Sequence, residues 1–276
     1  MDVLRLAAFS QDGKGGNPAG VVFCDKMSAD DEMLRIAKEV GYSETAFLLK
    51  QEDGWRVRYF APAMEIPFCG HATIALGAAL GERFGQGKYK LFLNDSEIQV
   101  NAESLDGRLS STLYSPGTSS EDAPAEFMDK VLGSFQLTRA DLNPAFPVRF
   151  ASAGARHLIF VLKDRDTLAN MQYQFDFVRE LMLEQGLITI SLLWPESDEV
   201  FHSRNAFASG GVYEDPATGA AAAALAGYLR DIGWQGKQEF TILQGEDMGM
   251  PSLLRVKYGP EPGSSVWVSG ETRYIS

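Results

Sequence analysis

Cysteine is close to absent from this chain: Cys24 and Cys69 are the only two among 276 residues, and histidine occurs three times. One possible bridge cannot staple a disulfide scaffold, so both thiols are expected to be reduced. Metal ligands are equally sparse. Cys69 and His71 stand two residues apart and too alone for a four-ligand zinc site, while His157 and His202 sit in different contexts, so no metal is expected. Positive charge is also in deficit, with 25 Lys and Arg against 37 Asp and Glu and a formal charge of −12. That balance disfavours nucleic acid and anionic membrane as partners, because both reward clustered cations. No apolar run reaches the roughly 20 residues that span a bilayer, and MDVLRLAAFS has no basic segment followed by an apolar signal core. The expectation is a cytoplasmic protein that handles a small molecule. The run Gly13-Lys14-Gly15-Gly16 lacks the spacing of a phosphate loop and leads into a strand, and no GxSxG nucleophile elbow occurs. Neither a nucleotide cofactor nor serine hydrolysis is implied.

What the chain does contain is strand pattern interrupted by two unusual helices. Alternation from Val3 to Phe9 breaks at Gly13-Lys14-Gly15-Gly16-Asn17-Pro18 and resumes from Ala19 to Cys24, which reads as strand, turn, strand. Met33, Ile36, Ala37 and Val40 repeat at helical spacing, and Gly41 closes that segment. Further short strands are expected over 45–49, 55–60, 89–93, 97–102 and 108–114. The stretch GHATIALGAAL, Gly70 to Leu80, is small or apolar almost all round, and a helix without a polar face belongs in a core. A second such helix is expected from Thr218 to Leu229, TGAAAAALAGYL, with Thr218 standing against Thr73 of the first. Between them, Ser115 to Ala125 is polar and rich in turn formers, which suggests a boundary. Short helices over 126–135 and 175–185 and buried strands over 156–162 and 187–194 complete the second half. The composition and order predict a duplicated α+β protein, with domains at 1–115 and 116–276, each built round one buried helix.

Both buried helices are entered through polar residues that packing alone does not require. The first entry is Glu65-Ile66-Pro67-Phe68-Cys69-Gly70-His71, and the second Tyr213-Glu214-Asp215-Pro216-Ala217-Thr218-Gly219. Helix starts carry unsatisfied N–H groups and partial positive charge, and small residues there let an anion approach the backbone. The bland alternative makes Asp215 and Thr73 ordinary caps and His71 a satisfied core histidine. Glu44, at the mouth of the apolar strand in GYSETAFLL, is a further candidate: partial burial would raise its pKa towards the range useful for acid–base work.

Several segments together resemble one family. RLAAFSQDGKGGNPAGVVF, GYSETAFLL, RVRYFAPAMEIPFCGHATIALGAAL, RNAFASGGVYEDPATGAAAAALAGYL and QGEDMGMPSLLRV follow one another in the order found in the phenazine-biosynthesis PhzF-like isomerases. The resemblance covers nearly the whole chain. It implies the diaminopimelate epimerase-like fold: two pseudo-symmetric domains, each a mixed sheet or barrel wrapped round a central helix, with the active site in the cleft between them. It also implies a homodimer and a last strand that crosses back to the first domain.

By the same resemblance Glu44 is the general acid/base, while His71 and Asp215 join it in the catalytic set. Cys69, Gly70, Thr218, Gly219 and Ala220 fall where the family holds its substrate. The implied reaction is a cofactor-independent proton shift on a small carboxylate, such as a cyclic amino-acid-like compound. Two departures bear on this. Epimerases of the fold use a pair of cysteines; Cys69 matches the first, but Asp215-Pro216-Ala217-Thr218-Gly219 holds no second thiol, which favours a single carboxylate moving one proton. Ala220 stands where the family usually has serine, removing one hydroxyl donor to a bound anion. The competing readings are a racemase or epimerase using Cys69 with a non-thiol partner, and a non-catalytic small-molecule-binding relative.

Overall fold

The computed structural model describes residues 2–105 and 107–275. The chain forms two compact units, Met1–Tyr114 with Val268–Ser276, and Ser115–Trp267. Ser115 begins the second unit, and most of the last strand belongs to the first.

In the first unit, β1 (Leu4–Ser10) and β2 (Asn17–Cys24) pair antiparallel across the glycine-rich turn. Helix α1 (Asp30–Val40) has acidic residues in its first turn, where they complement the helix dipole, and buries Met33, Ile36 and Ala37 against Val22, Phe47 and Phe60. Gly41 ends α1 at φ 72°, a left-handed value suited to glycine, and turns the chain into β3 (Glu44–Gln51). Strands β2 and β3 are parallel, so α1 is the crossover. Then come β4 (Gly54–Phe60), the two-residue β5 (Glu65–Ile66), α2 (Gly70–Phe84), β6 (Gly87–Phe92), β7 (Glu97–Leu105) and β8 (Arg108–Tyr114). The chain's last strand, Val266–Tyr274, pairs with both β8 and β1, so the order β1-β2-β3-β4-β6-β7-β8-last strand closes on itself.

Helix α2 runs inside this ring, touching β1, β2, β3, β6, β7 and β8. Every residue from Gly70 to Leu80 is buried, which is why the segment shows no polar face. Its glycines set the approach distance: a Cβ on Gly77 would stand 2.6 Å from Val100 Cγ2.

The second unit contains β9 (Ser119–Asp122), α3 (Ala125–Ser134), β10 (Arg149–Ser152), β11 (Arg156–Val161), α4 (Arg165–Ala169), α5 (Phe175–Glu184) and β12 (Thr189–Pro195). It continues through β13 (Val200–Ala206), β14 (Glu214–Asp215), α6 (Gly219–Asp231), β15 (Glu239–Gln244) and β16 (Ser252–Tyr258). The strand order is β9-β10-β11-β12-β13-β15-β16, with β14 paired to the end of β13. Phe127 and Val131 of α3 and Val178, Leu181 and Met182 of α5 share a core with Leu158, Phe160, Ile190 and Leu192. Helix α6 packs on β9, β10, β11 and β16 and is buried over most of its length. The polar segment 115–125, expected to mark the boundary, opens the second unit at Ser115 and also holds β9. Backbone hydrogen bonds to β10 make this strand, and its mostly exposed side chains leave no apolar alternation to read.

The two units repeat one plan residue by residue. Arg58 of β4 pairs with Glu65 of β5, and Arg204 of β13 with Glu214 of β14, each at 2.5 Å. Ladder partners Phe60 and Glu65 therefore match Ala206 and Glu214. One strand further, Thr45 opposite Phe60 matches Ile190 opposite Ala206, so Glu44 corresponds to Thr189, and their parallel partners Ala19 and His157 correspond as well. The residue before each central helix is Cys69 in one unit and Thr218 in the other. Thr218 thus answers to Cys69, whereas the sequence pattern sets it against Thr73. Among the described residues, no helix is long and apolar enough to cross a membrane.

Candidate functional site

The predicted site residues fall into two groups, one in each unit. Glu44, the first residue of β3, meets Cys69 and His71, which flank Gly70 at the start of α2. The turn after α1 delivers the carboxylate, while the helix start delivers thiol and imidazole. Glu44, His71 and Cys69 are 7 %, 6 % and 7 % exposed. His71 Nε2 lies 3.1 Å from Glu44 Oε2 and 3.3 Å from Ser43 Oγ, and Nδ1 lies 3.3 Å from Cys69 Sγ. Cys69 itself is held from below. Thr73 donates its hydroxyl to the Cys69 carbonyl at 2.6 Å, and Tyr59 Oη lies 2.6 Å from the same hydroxyl. Thr73 is accordingly an interior helix residue bonded back to its fourth predecessor, and not a cap.

The electrostatics correct the expectation for Glu44. Burial pushes its pKa up, but the hydrogen bond and charge of His71, followed by bonds from Ser43 and Cys69, outweigh burial and leave it below the ordinary value. Burial opposes a charged His71, yet Cys69 and Glu44 together raise its pKa well above the usual value. Desolvation and the nearby Glu44 push the Cys69 thiol up to about 11, so near neutral pH it is protonated. The persistent partner of the imidazolium is therefore Glu44. Near neutral pH the group is a buried carboxylate and a neutral thiol, with the imidazole within ion-pair range of the first and hydrogen-bond range of the second. A proton acceptor and a proton donor stand in direct contact, which suits general acid–base work.

In the second unit Asp215, Thr218, Gly219 and Ala220 lie together at the start of α6. Asp215 and Thr218 are buried, and Ala220 is partly exposed. Thr218 donates its hydroxyl to Asp215 Oδ2 at 2.6 Å and makes no side-chain cap to α6 itself. Gln244 at the end of β15 braces this turn: its Oε1 accepts from Thr218 N at 3.2 Å, and its Nε2 donates to the Asp215 carbonyl at 2.7 Å. Where the first unit has Glu44, this one has Thr189, bonded at 2.7 Å to His157 Nδ1. Burial drives His157 down to about 3, which makes it a neutral structural histidine. Cys69 and His71 are answered by Thr218 and Ala220. The acid–base group thus has no copy in the second unit.

Sequence reasoning does not single out Ser43 or Gln244. Both stand in recognisable motifs, SETAF and QGEDMG, yet nothing in the chain order reveals which side chain turns towards His71 or Thr218. A hollow of about 750 Å³ beside Asp2, Cys24 and Arg83 shares no residue with either group.

The model of the PhzC-PhzF family, phenazine biosynthesis-like proteins, matches residues 6–275. The chain is 32 % identical to the isomerase YfhB of Bacillus subtilis, over 97 % of this chain and 94 % of that protein. It is 30 % identical to the trans-2,3-dihydro-3-hydroxyanthranilate isomerase of Pseudomonas aeruginosa, over 96 % of this chain and 94 % of the other. The crystal structure of a PhzF-family phenazine biosynthesis protein from Bacillus anthracis superposes with a TM-score of 0.87 at 24 % identity, covering 99 % of this chain and 96 % of that one. That likeness shows the fold, the diaminopimelate epimerase-like arrangement expected from the motifs.

Proposed function

Because this chain belongs to the phenazine biosynthesis-like family and is an isomerase, we propose that it moves a proton between carbons of a small carboxylate with Glu44 as the acid/base and without a cofactor. One observation carries the reading: the buried Glu44 carboxylate lies 3.1 Å from His71 Nε2, a contact that holds its pKa below the ordinary carboxylate value despite burial. Such a pair accepts a proton from carbon on Glu44 while His71 donates to oxygen or nitrogen on the substrate, so that the charge developing there meets an N–H and not water. Glu44 then returns the proton to a neighbouring carbon.

A one-base reaction is favoured over inversion by the repeat itself. Epimerisation needs a second acid/base for the opposite face, and the positions answering to Glu44, Cys69 and His71 are Thr189, Thr218 and Ala220. None of these titrates near neutral pH. Cys69, protonated and bonded to His71, serves in this reading as a neighbour that orients the ring.

The proposal gives Gly70, Gly219 and Ala220 the task of offering backbone N–H groups to the substrate carboxylate, and Asp215 with Thr218 that of binding its polar end. The substrate class is a small carboxylate; trans-2,3-dihydro-3-hydroxyanthranilate, the compound named for the Pseudomonas relative, is the first to test. The experiment is proton NMR in deuterium oxide with that compound and related cyclic and linear amino acids. The parent should incorporate deuterium at carbon during isomerisation. Glu44→Gln should slow incorporation by about 10²–10⁴-fold, the usual contribution of a positioned general base. Undiminished exchange in the variant would remove Glu44 from the role.

A further inference from the structure

The sequence offers Cys69 and His71 as an isolated pair of soft ligands, but the fold brings a third donor from 25 positions upstream. Glu44, Cys69 and His71 each direct one ligand atom into a space where all three lie within 4.8 Å of one another. His71 Nε2 is 3.1 Å from Glu44 Oε2 and 3.9 Å from Cys69 Sγ. In a tetrahedral zinc site, bonds of about 2.0–2.3 Å set donors roughly 3.3–3.7 Å apart, so the two distances from His71 Nε2 need shifts of a few tenths of an ångström and the 4.8 Å limit on the third pair leaves it within about 1.5 Å of that spacing. Among the described residues no other group of His, Cys, Asp and Glu side chains meets this spacing. We propose that Glu44, Cys69 and His71 form a three-donor site for a borderline-soft divalent cation of the zinc type, and that the bound ion holds the isomerase inactive.

The donor set, one thiolate, one imidazole and one carboxylate, is that of a borderline-soft ion and unlike the all-oxygen cages of magnesium or calcium. Thiolate and carboxylate together cancel the charge of a divalent ion, so the loaded site stays neutral where it is buried. On binding, the thiol proton and one imidazolium proton pass to solvent. The start of α2 repels a bare cation but favours the thiolate that coordinates it. The Thr73 and Tyr59 hydroxyls that pin the Cys69 backbone supply an ordered outer shell. Inhibition follows from geometry, because the ion takes the carboxylate oxygen and ring nitrogen that the proton shift uses. This second half rests on the proposed role of Glu44; the binding half does not.

The test is titration of the metal-free full chain with zinc sulfate against a chromophoric chelator, together with the ultraviolet sulfur-to-cadmium charge-transfer band on cadmium addition. One ion per chain should bind, with the cadmium band present. Cys69→Ser and His71→Asn should each weaken zinc by about tenfold or more, at least the loss seen for outer-shell partners. Cys69→Ser should also abolish the band while keeping the metal-free melting temperature, since serine suits a helix N-cap. His202→Gln, at the other histidine flanked by carboxylates, should change nothing. Zinc binding that ignores Cys69→Ser and His71→Asn, or no cadmium band in the parent, overturns the site. Stoichiometric zinc that leaves deuterium exchange running confirms the site and refutes Glu44 as the base; exchange lost on loading and restored by chelation supports both.

Discussion

Replacing His71 by asparagine isolates what the buried ion pair does for the fold. The side chains of His71 and Glu44 are 7 % and 9 % exposed. At that burial, removing one partner strands a charge and costs about 3–5 kcal/mol, where an exposed pair would be worth about 1 kcal/mol at most. With a urea slope of about 2–3 kcal/mol/M, the midpoint should fall by roughly 1–2.5 M. The pH dependence carries the sharper signature. In the parent, the lowered Glu44 pKa contributes stability that is present above the ordinary value of 4.5 and fades as pH drops through the folded value. The raised His71 pKa contributes stability that is full below 6.5 and fades as pH climbs through its folded value. Stability should therefore plateau between these limits. In His71→Asn the burial of Glu44 is no longer outweighed, its pKa rises, and stability should decline as pH passes upward through 4.5. Urea melts of both proteins from pH 4 to 8 measure this. Parallel pH profiles, or a midpoint unchanged by the substitution, would refute the ion pair and with it the protonation states proposed for the reaction.

Cys69→Ala should keep deuterium exchange within about tenfold of the parent, because the thiol is protonated and takes no proton from substrate; a loss as large as that of Glu44→Gln would instead make Cys69 the acid/base. Gly77→Val adds side-chain atoms to a position where even a Cβ would stand 2.6 Å from Val100 Cγ2, and should cost about 1–3 kcal/mol or more by overpacking, read as a lower melting temperature. Gln244→Ala leaves the Thr218 N–H and the Asp215 carbonyl without their side-chain partner on β15. A cost of about 1–3 kcal/mol is expected in urea melts, with Gln244→Glu, which sets a buried carboxylate against the Asp215 carbonyl, at least as destabilising.

Much of the frame is legible in the chain order because it rests on local periodicity. The all-round apolar segments at Gly70–Leu80 and Thr218–Leu229 announce helices enclosed on every side, and both are. Strand β4 follows the alternation that one buried face imposes, whereas β1 and β2 are buried on both faces over most of their length and are legible as apolar runs between turn residues. The strands β10, β13, β15 and β16 go unread in the chain order, although each pairs with a strand next to it along the chain and β15 and β16 alternate buried with more exposed residues. Segment 115–125 opens the second unit, but its polarity hides β9, which exists because β10 supplies its hydrogen bonds.

For the candidate site the division is similar. By itself the amino-acid sequence determined the two enclosed helices, the polar entries before them, and the want of a second thiol, because these depend on residue type and spacing along one segment. Only the tertiary structure decided that Glu44, Cys69 and His71 touch, that the carboxylate is held ionised by an imidazolium against the pull of burial, and that Thr189, Thr218 and Ala220 answer to them in the second unit. Ionisation depends on distances between side chains from separate elements and on how much water they retain, and neither quantity exists until the ring of strands has closed round the helix.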